Sequence, residues 1–186
     1  MLSTPGAKNM PRIEIELLPV DHITADAIGP KGQRVFYIQA TKDDQVVTLI
    51  AEKFQVQSLS VGIEQFLVEV LERYPDLKDA SSEYDESGMQ ILPPVDPIFR
   101  LEDIGLGYNV EDDLVVLVIH ELLPEDTEQD PGVVRFWCTR SQLRALGHWG
   151  MEVASRGRPI CPQCGQPEEP EGHFCVKKNG GHKRNE

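Results

Sequence analysis

"QRVFYIQATKDDQVVTLIAEK", residues 33–53, sets the fold class. Two runs rich in β-formers, 33–40 and 45–53, flank the turn residues "TKDD". That arrangement predicts a β-hairpin. Working outward, a further strand is expected within 20–28, ended by "GPKG" at 29–32. On the other side, Leu59, Ile63, Phe66, Leu67, Val70, Leu71 and Tyr74 recur at spacings of three and four, which makes one apolar helix face. Pro75 ends that helix.

The same order then returns. Residues 76–98 read as an acidic, proline-bearing linker. "FRLEDIGLGYN" (99–109), "DLVVLVIHELL" (113–123) and "VVRFWCT" (133–139) read as three strands, with a loop at 124–132. Thr139 with Gln142 forms a capping box for a helix reaching about Ser155. On its inner face, Gly147 and Gly150 allow another backbone to come close. The expected fold is α+β. It has two successive strand-strand-strand-helix units forming antiparallel sheet, at 1–75 and 99–156, and a zinc-knuckle-like tail at 157–186.

A chain of 186 residues is one domain or two very small ones. Its start has no apolar stretch of signal-peptide length, and its longest apolar run, "LVVLVI" at 114–119, is too short to span a bilayer. These features predict a cytoplasmic protein with reduced cysteines, where a cysteine cluster reads as metal or catalysis before disulfide. Net charge is −13, and residues 79–130 carry fifteen Asp and Glu against one Arg. A duplex-binding protein shows the opposite sign. The acidic stretch reads as solvated faces, or as a docking surface for a basic partner.

"CPQCGQPEEPEGHFC", residues 161–175, concentrates soft ligands. Cys161 and Cys164 have the spacing of a zinc knuckle, and Gly165 relieves crowding as the chain leaves the turn. His173 and Cys175, one residue apart, share a face of an extended backbone. Together they form a Cys3His set suited to one tetrahedral, structural Zn2+ per chain. Thirty residues with few large apolar groups build no core, so the metal supplies the tail's folding energy. Cys138, beside Trp137 in a strand, reads as a small buried hydrophobe.

Other chemistry is thinner. His22 and His120 are candidate bases with acidic neighbours such as Glu121, although ordinary strand histidines are the simpler reading. "GPKG" lacks phosphate-loop spacing and reads as a turn. The pairs Glu102-Asp103 and Asp112-Asp113 are candidate Mg2+ ligands, but neighbours on a strand point to opposite faces. No nucleophile-elbow, zinc-protease or dinucleotide motif occurs. Lys177, Lys178, Lys183 and Arg184 near the tail suit a nucleic-acid knuckle, but Phe174 is its single aromatic.

"GRPICPQCGQPEEPEGHFC" followed by "NG", with "GQRVFYIQA", "EKFQV" and "FRLEDIGLGYN", resembles an uncharacterised bacterial family, the domain of unknown function numbered three thousand and ninety. Val176 stands where that family's ending usually has proline. The resemblance implies a soluble, cytoplasmic bacterial protein and brings no activity with it. The resulting expectation is a non-enzymatic, zinc-stabilised adaptor or regulator that binds a protein partner through an acidic surface or the zinc tail. The alternatives are an enzyme with a site between the two halves around His22, His120 or the acidic pairs, and a nucleic-acid binder acting through the basic tail.

Overall fold

The computed structural model describes residues 12–157 and 161–163. The hairpin of the opening stretch is present as β3 (Val35–Lys42) and β4 (Gln45–Ala51), with Asp43 in the left-handed conformation a tight turn requires. β2 (His22–Ile28) pairs antiparallel with β3. Its turn at 29–32 has Gly29 and Gly32 at positive φ and a bond from the Gln33 N–H to the Pro30 carbonyl, so "GPKG" is a turn. The long helix α1 (Lys53–Arg73) follows β4. The second pass gives β5 (Pro97–Asn109), β6 (Leu114–Glu121), β7 (Val133–Thr139) and α2 (Arg140–Ser155). Both hydrogen bonds of the Thr139–Gln142 capping box are present on α2.

The two passes form one seven-stranded sheet in the order β1-β7-β6-β5-β4-β3-β2, where β1 is Glu14–Leu17. The sheet is mixed, which corrects the antiparallel expectation. β4 pairs parallel with β5, because the crossover through α1 returns the chain in the same direction. β1, a strand absent from the sequence reading, pairs parallel with β7. Only the first residues of β5 meet β4, in the register Thr48↔Pro97 to Ile50↔Arg100. A bulge at Leu101/Asp103 follows, and the rest of β5 pairs with β6 alone.

Alternation along each strand sends one row into a shared core. Ile38 and Ala40, Val47 and Leu49, Leu117 and Ile119, and Phe136 with Cys138 are all buried there. Both helices close that core. A Cβ on Gly147 would come within 3.3 Å of Ile63, and one on Gly150 within 3.1 Å of Val56 and Ser60. The two glycines therefore do bring α2 onto α1, and Gly150 also lies over Ala25 of β2. The helix of the second pass thus covers a strand of the first.

Of residues 76–98, read from sequence as a linker, 97 and 98 open β5 and 76–96 act as a strap. The Arg140 guanidinium donates to the Lys78 carbonyl at 2.7 Å, and Arg144 donates to the Ala80 carbonyl at 2.6 Å. The strap next passes the free edge of β2 through a short 3-10 turn, Glu86–Met89. It then crosses the outer face of β2 and β3. Thr24, Gln39 and Thr48 form one cross-strand row on that face, all buried. Thr24 Oγ1 donates to the Met89 carbonyl, and Gln39 exchanges two bonds with the Leu92 backbone while donating to Thr48 Oγ1. Buried polar atoms are thereby satisfied.

Candidate functional site

Two linked hollows lie between α1 and β5. One, of about 220 Å3, is lined by Phe54, Ser58, Leu59 and Gly62 of α1 and by residues 101–104 and Leu106 of β5. The other, of about 280 Å3, continues along Phe66 and Tyr74 beside Leu106 and Tyr108. Leu106 belongs to both, so they form one groove. Its floor is the margin of the core: Leu59, Phe66, Ile104, Leu106 and Tyr108 are only partly buried. Phe54 at one end is 63% exposed. Gly62 keeps the helical wall low, since a Cβ there would meet nothing within 4 Å.

Gln55 fixes the upper end of this groove. Its Oε1 accepts from the Glu52 N–H at 2.7 Å, as the capping-box partner of α1. Its Nε2 donates to the Glu102 carbonyl at 2.9 Å and the Leu101 carbonyl at 3.3 Å. A side chain thus stands where a neighbouring strand would otherwise bond. Glu102 and Asp103 give this end negative charge, and Glu69 and Arg73 line the lower hollow. Glu102 forms no ion pair among the described residues.

A separate cleft of about 370 Å3 lies under the strap, lined by Asp21, His22, Tyr84, Asp85, Ser141 and Gln142 among others. Burial holds the His22 imidazole below its ordinary pKa, and the nearby Gly88 backbone opposes that shift. His22 Nε2 is buried without a hydrogen-bond partner. His120 stands elsewhere, on β6, with Nδ1 2.7 Å from Asp103 Oδ1. Glu121 is engaged by the Gly132 N–H. The structure therefore does not assemble His22, His120 and Glu121 into one site.

The acidic stretch is divided among local tasks. Asp113 accepts two bonds from Arg140, at 2.7 and 3.1 Å, and one from the Tyr108 hydroxyl at 2.8 Å. The Arg140 bonds hold its carboxyl below the usual range, while burial and Asp113 push the Tyr108 hydroxyl up. Asp113 also takes positive φ at the β5–β6 turn, so this cluster locks the turn to the start of α2. Asp112 accepts from Asn109 instead, so the pair does not converge on one point. Asp79 is bound by Arg144.

Cys138 is fully buried, as expected, and burial pushes its thiol up to about 12, which keeps it protonated and unreactive. Of the four expected zinc ligands, Cys161 is buried, while Cys164, His173 and Cys175 lie outside the described residues. So do Phe174, Lys177, Lys178, Lys183 and Arg184 of the tail. Among the described residues no group of three or more His, Cys, Asp or Glu is placed to hold a metal. No described helix is long and apolar enough to cross a membrane.

Sequence reasoning missed the groove. Two signals pointed to it: Gly62 in the middle of an otherwise regular helix, and the glycines of "IGLGY", which alternate with apolar residues along a strand. Searches of curated proteins and of solved structures give no match. Residues 16–175 match the family model described as "Protein of unknown function (DUF3090)". That match covers most of the chain, from within β1 through β7, both helices and on to Cys175; the chain belongs to the DUF3090 family.

Proposed function

We propose that this chain is a non-enzymatic cytoplasmic adaptor or regulatory protein that binds a basic segment of a partner protein in the groove between α1 and β5. The observation that carries this reading is an apolar, open groove whose upper end bears Glu102 and Asp103. Apolar area gives such a site its affinity, and the carboxylates favour a partner with Lys or Arg beside its apolar anchors. The isolated positions of His22 and His120 support binding over catalysis. In this reading Cys161, Cys164, His173 and Cys175 hold one structural zinc, whose ligand set of three thiolates and an imidazole leaves no position for substrate.

Gly62→Leu tests the groove directly. The new side chain enters empty space, and leaving glycine raises helix propensity by up to about 1 kcal/mol, so the variant is expected to fold at least as well as wild type. With both chains as bait in cell extract, a protein held by wild type should be lost from Gly62→Leu and released by raised salt. Identical captures by the two baits would remove the groove from the account. The metal is tested by elemental analysis of wild type and Cys164→Ser. About one zinc per wild-type chain, lost in the variant, is expected. A chelator should then unfold the tail while the strands and helices keep their circular dichroism. Metal-free wild type prepared under reducing conditions would end the zinc reading.

A further inference from the structure

Among the described residues, the second half of β5 has one partner where a sheet strand ordinarily has two. Beyond Arg100 its register with β4 stops, and from Asp103 to Asn109 it pairs with β6 alone. Gln55 takes the carbonyls of Leu101 and Glu102 on the open side. From Asp103 to Tyr108, among the described residues, no hydrogen bond other than the β6 ladder reaches the backbone. Alternate N–H and C=O groups of a strand point to each side, so this edge presents donors and acceptors that no described residue takes. The edge borders the groove.

We infer that the partner segment binds in extended form, adding a strand to the open edge of β5 along Asp103–Tyr108. This rests on the adaptor reading above and specifies its occupant. The side-chain requirements follow from the two faces of β5. Ile104, Leu106 and Tyr108 share the core-facing row, so inward residues of the added strand would lie over Leu59, Gly62 and Phe66 and must be apolar. Asp103, Gly105 and Gly107 share the outward row, opposite His120, Val118 and Val116. Outward residues of the added strand therefore stand beside two glycines and a carboxylate, which suits Lys or Arg. The partner is a protein segment with apolar and basic residues in alternation. An edge that is merely guarded carries Lys, Pro or a cover over its apolar row. Here the bulge and Asp103 guard only its beginning, and the apolar row beyond is only partly buried.

The probe is a nine-residue peptide of alternating Lys and Val, mixed with the full chain. Amide hydrogen exchange is followed across β5. Slowing of alternate amides within 103–109 by tenfold or more is expected. The effect should vanish for the same peptide N-methylated at every second residue, and for Gly62→Leu. If the peptide binds, Gly62→Leu abolishes binding, and the β5 amides are unchanged, strand addition is overturned while the groove reading stands. If the N-methylated peptide binds equally well, the outcome is the same. Binding indifferent to Gly62→Leu overturns both, and absence of binding at millimolar peptide overturns strand addition. Protection already present without peptide, and lost on deleting residues 176–186, would make the chain's own basic end the occupant and overturn the partner.

Discussion

The outward rows of the two halves of the sheet differ in kind. On β2, β3 and β4 the row is Thr24, Gln39 and Thr48, polar and fully covered by the strap. On β6 and β7 it includes Val116, Val118 and Trp137, apolar and half exposed. Polarity here does not follow exposure. The covered row is polar because what covers it is irregular backbone, whose N–H and C=O groups need partners once water is excluded. The uncovered row has no such backbone to satisfy, and scattered apolar groups on a surface cost little. The side chains of a strand face therefore report what lies on them as much as whether anything does.

The sharpest way to break this contrast is to shorten the central residue of each row. Gln39→Ala strands the Leu92 N–H and carbonyl and the Thr48 hydroxyl, and should cost about 3 kcal/mol by denaturant titration. Val118→Ala, on the open face, should cost roughly 0.8 kcal/mol. Equal losses would mean that the strap contributes nothing to the first half. Arg140→Ala comes between them. It releases the strap at Lys78 and unpairs Asp113 at the β5–β6 turn, and a loss of about 2 kcal/mol is expected. Because both halves share that residue, amide exchange should quicken in the strap and at the turn together.

The smallest effect belongs to pH. Burial lowers the folded-state pKa of His22 beneath its ordinary 6.5, so the unfolded chain takes the proton first. Neutral His22 thus contributes its full stability above about pH 6.5, and that share is lost as pH falls toward the folded-state value. Denaturant midpoints at pH 7 and pH 5.5 should differ more for wild type than for His22→Gln. An unchanged difference would show that the imidazole under the strap is not the group involved.

Local signals made much of the fold legible in advance. The β-formers flanking "TKDD", the three-four spacing from Leu59 to Tyr74 and the Thr139–Gln142 box each describe interactions within a few residues. Gly147 and Gly150 were readable for a similar reason, since a glycine pair on an apolar helix face has few uses besides close approach. What escaped depends on partners distant in sequence. β1 is four residues long and exists as a strand only through β7, more than a hundred residues later. The strap carries no periodicity, because its bonds run from backbone to side chains on other elements. The groove depends on where the β4–β5 register stops, which nothing in either strand's composition states.

The placement of α2 over β2 has a consequence during synthesis. Gly150 meets Ala25, so the first four strands and α1 are made long before the helix that completes their cover. At roughly 5–20 residues per second, about 4–15 s separate the end of α1 from Gly150. Through that interval the inner face of β2 and the helix face bearing Val56 and Ser60 lack their lid. A ribosome-borne first half should accordingly be a substrate for holding chaperones, and a gene cut between the two passes should give an N-terminal product that stays soluble only when the C-terminal half is supplied in the same cell.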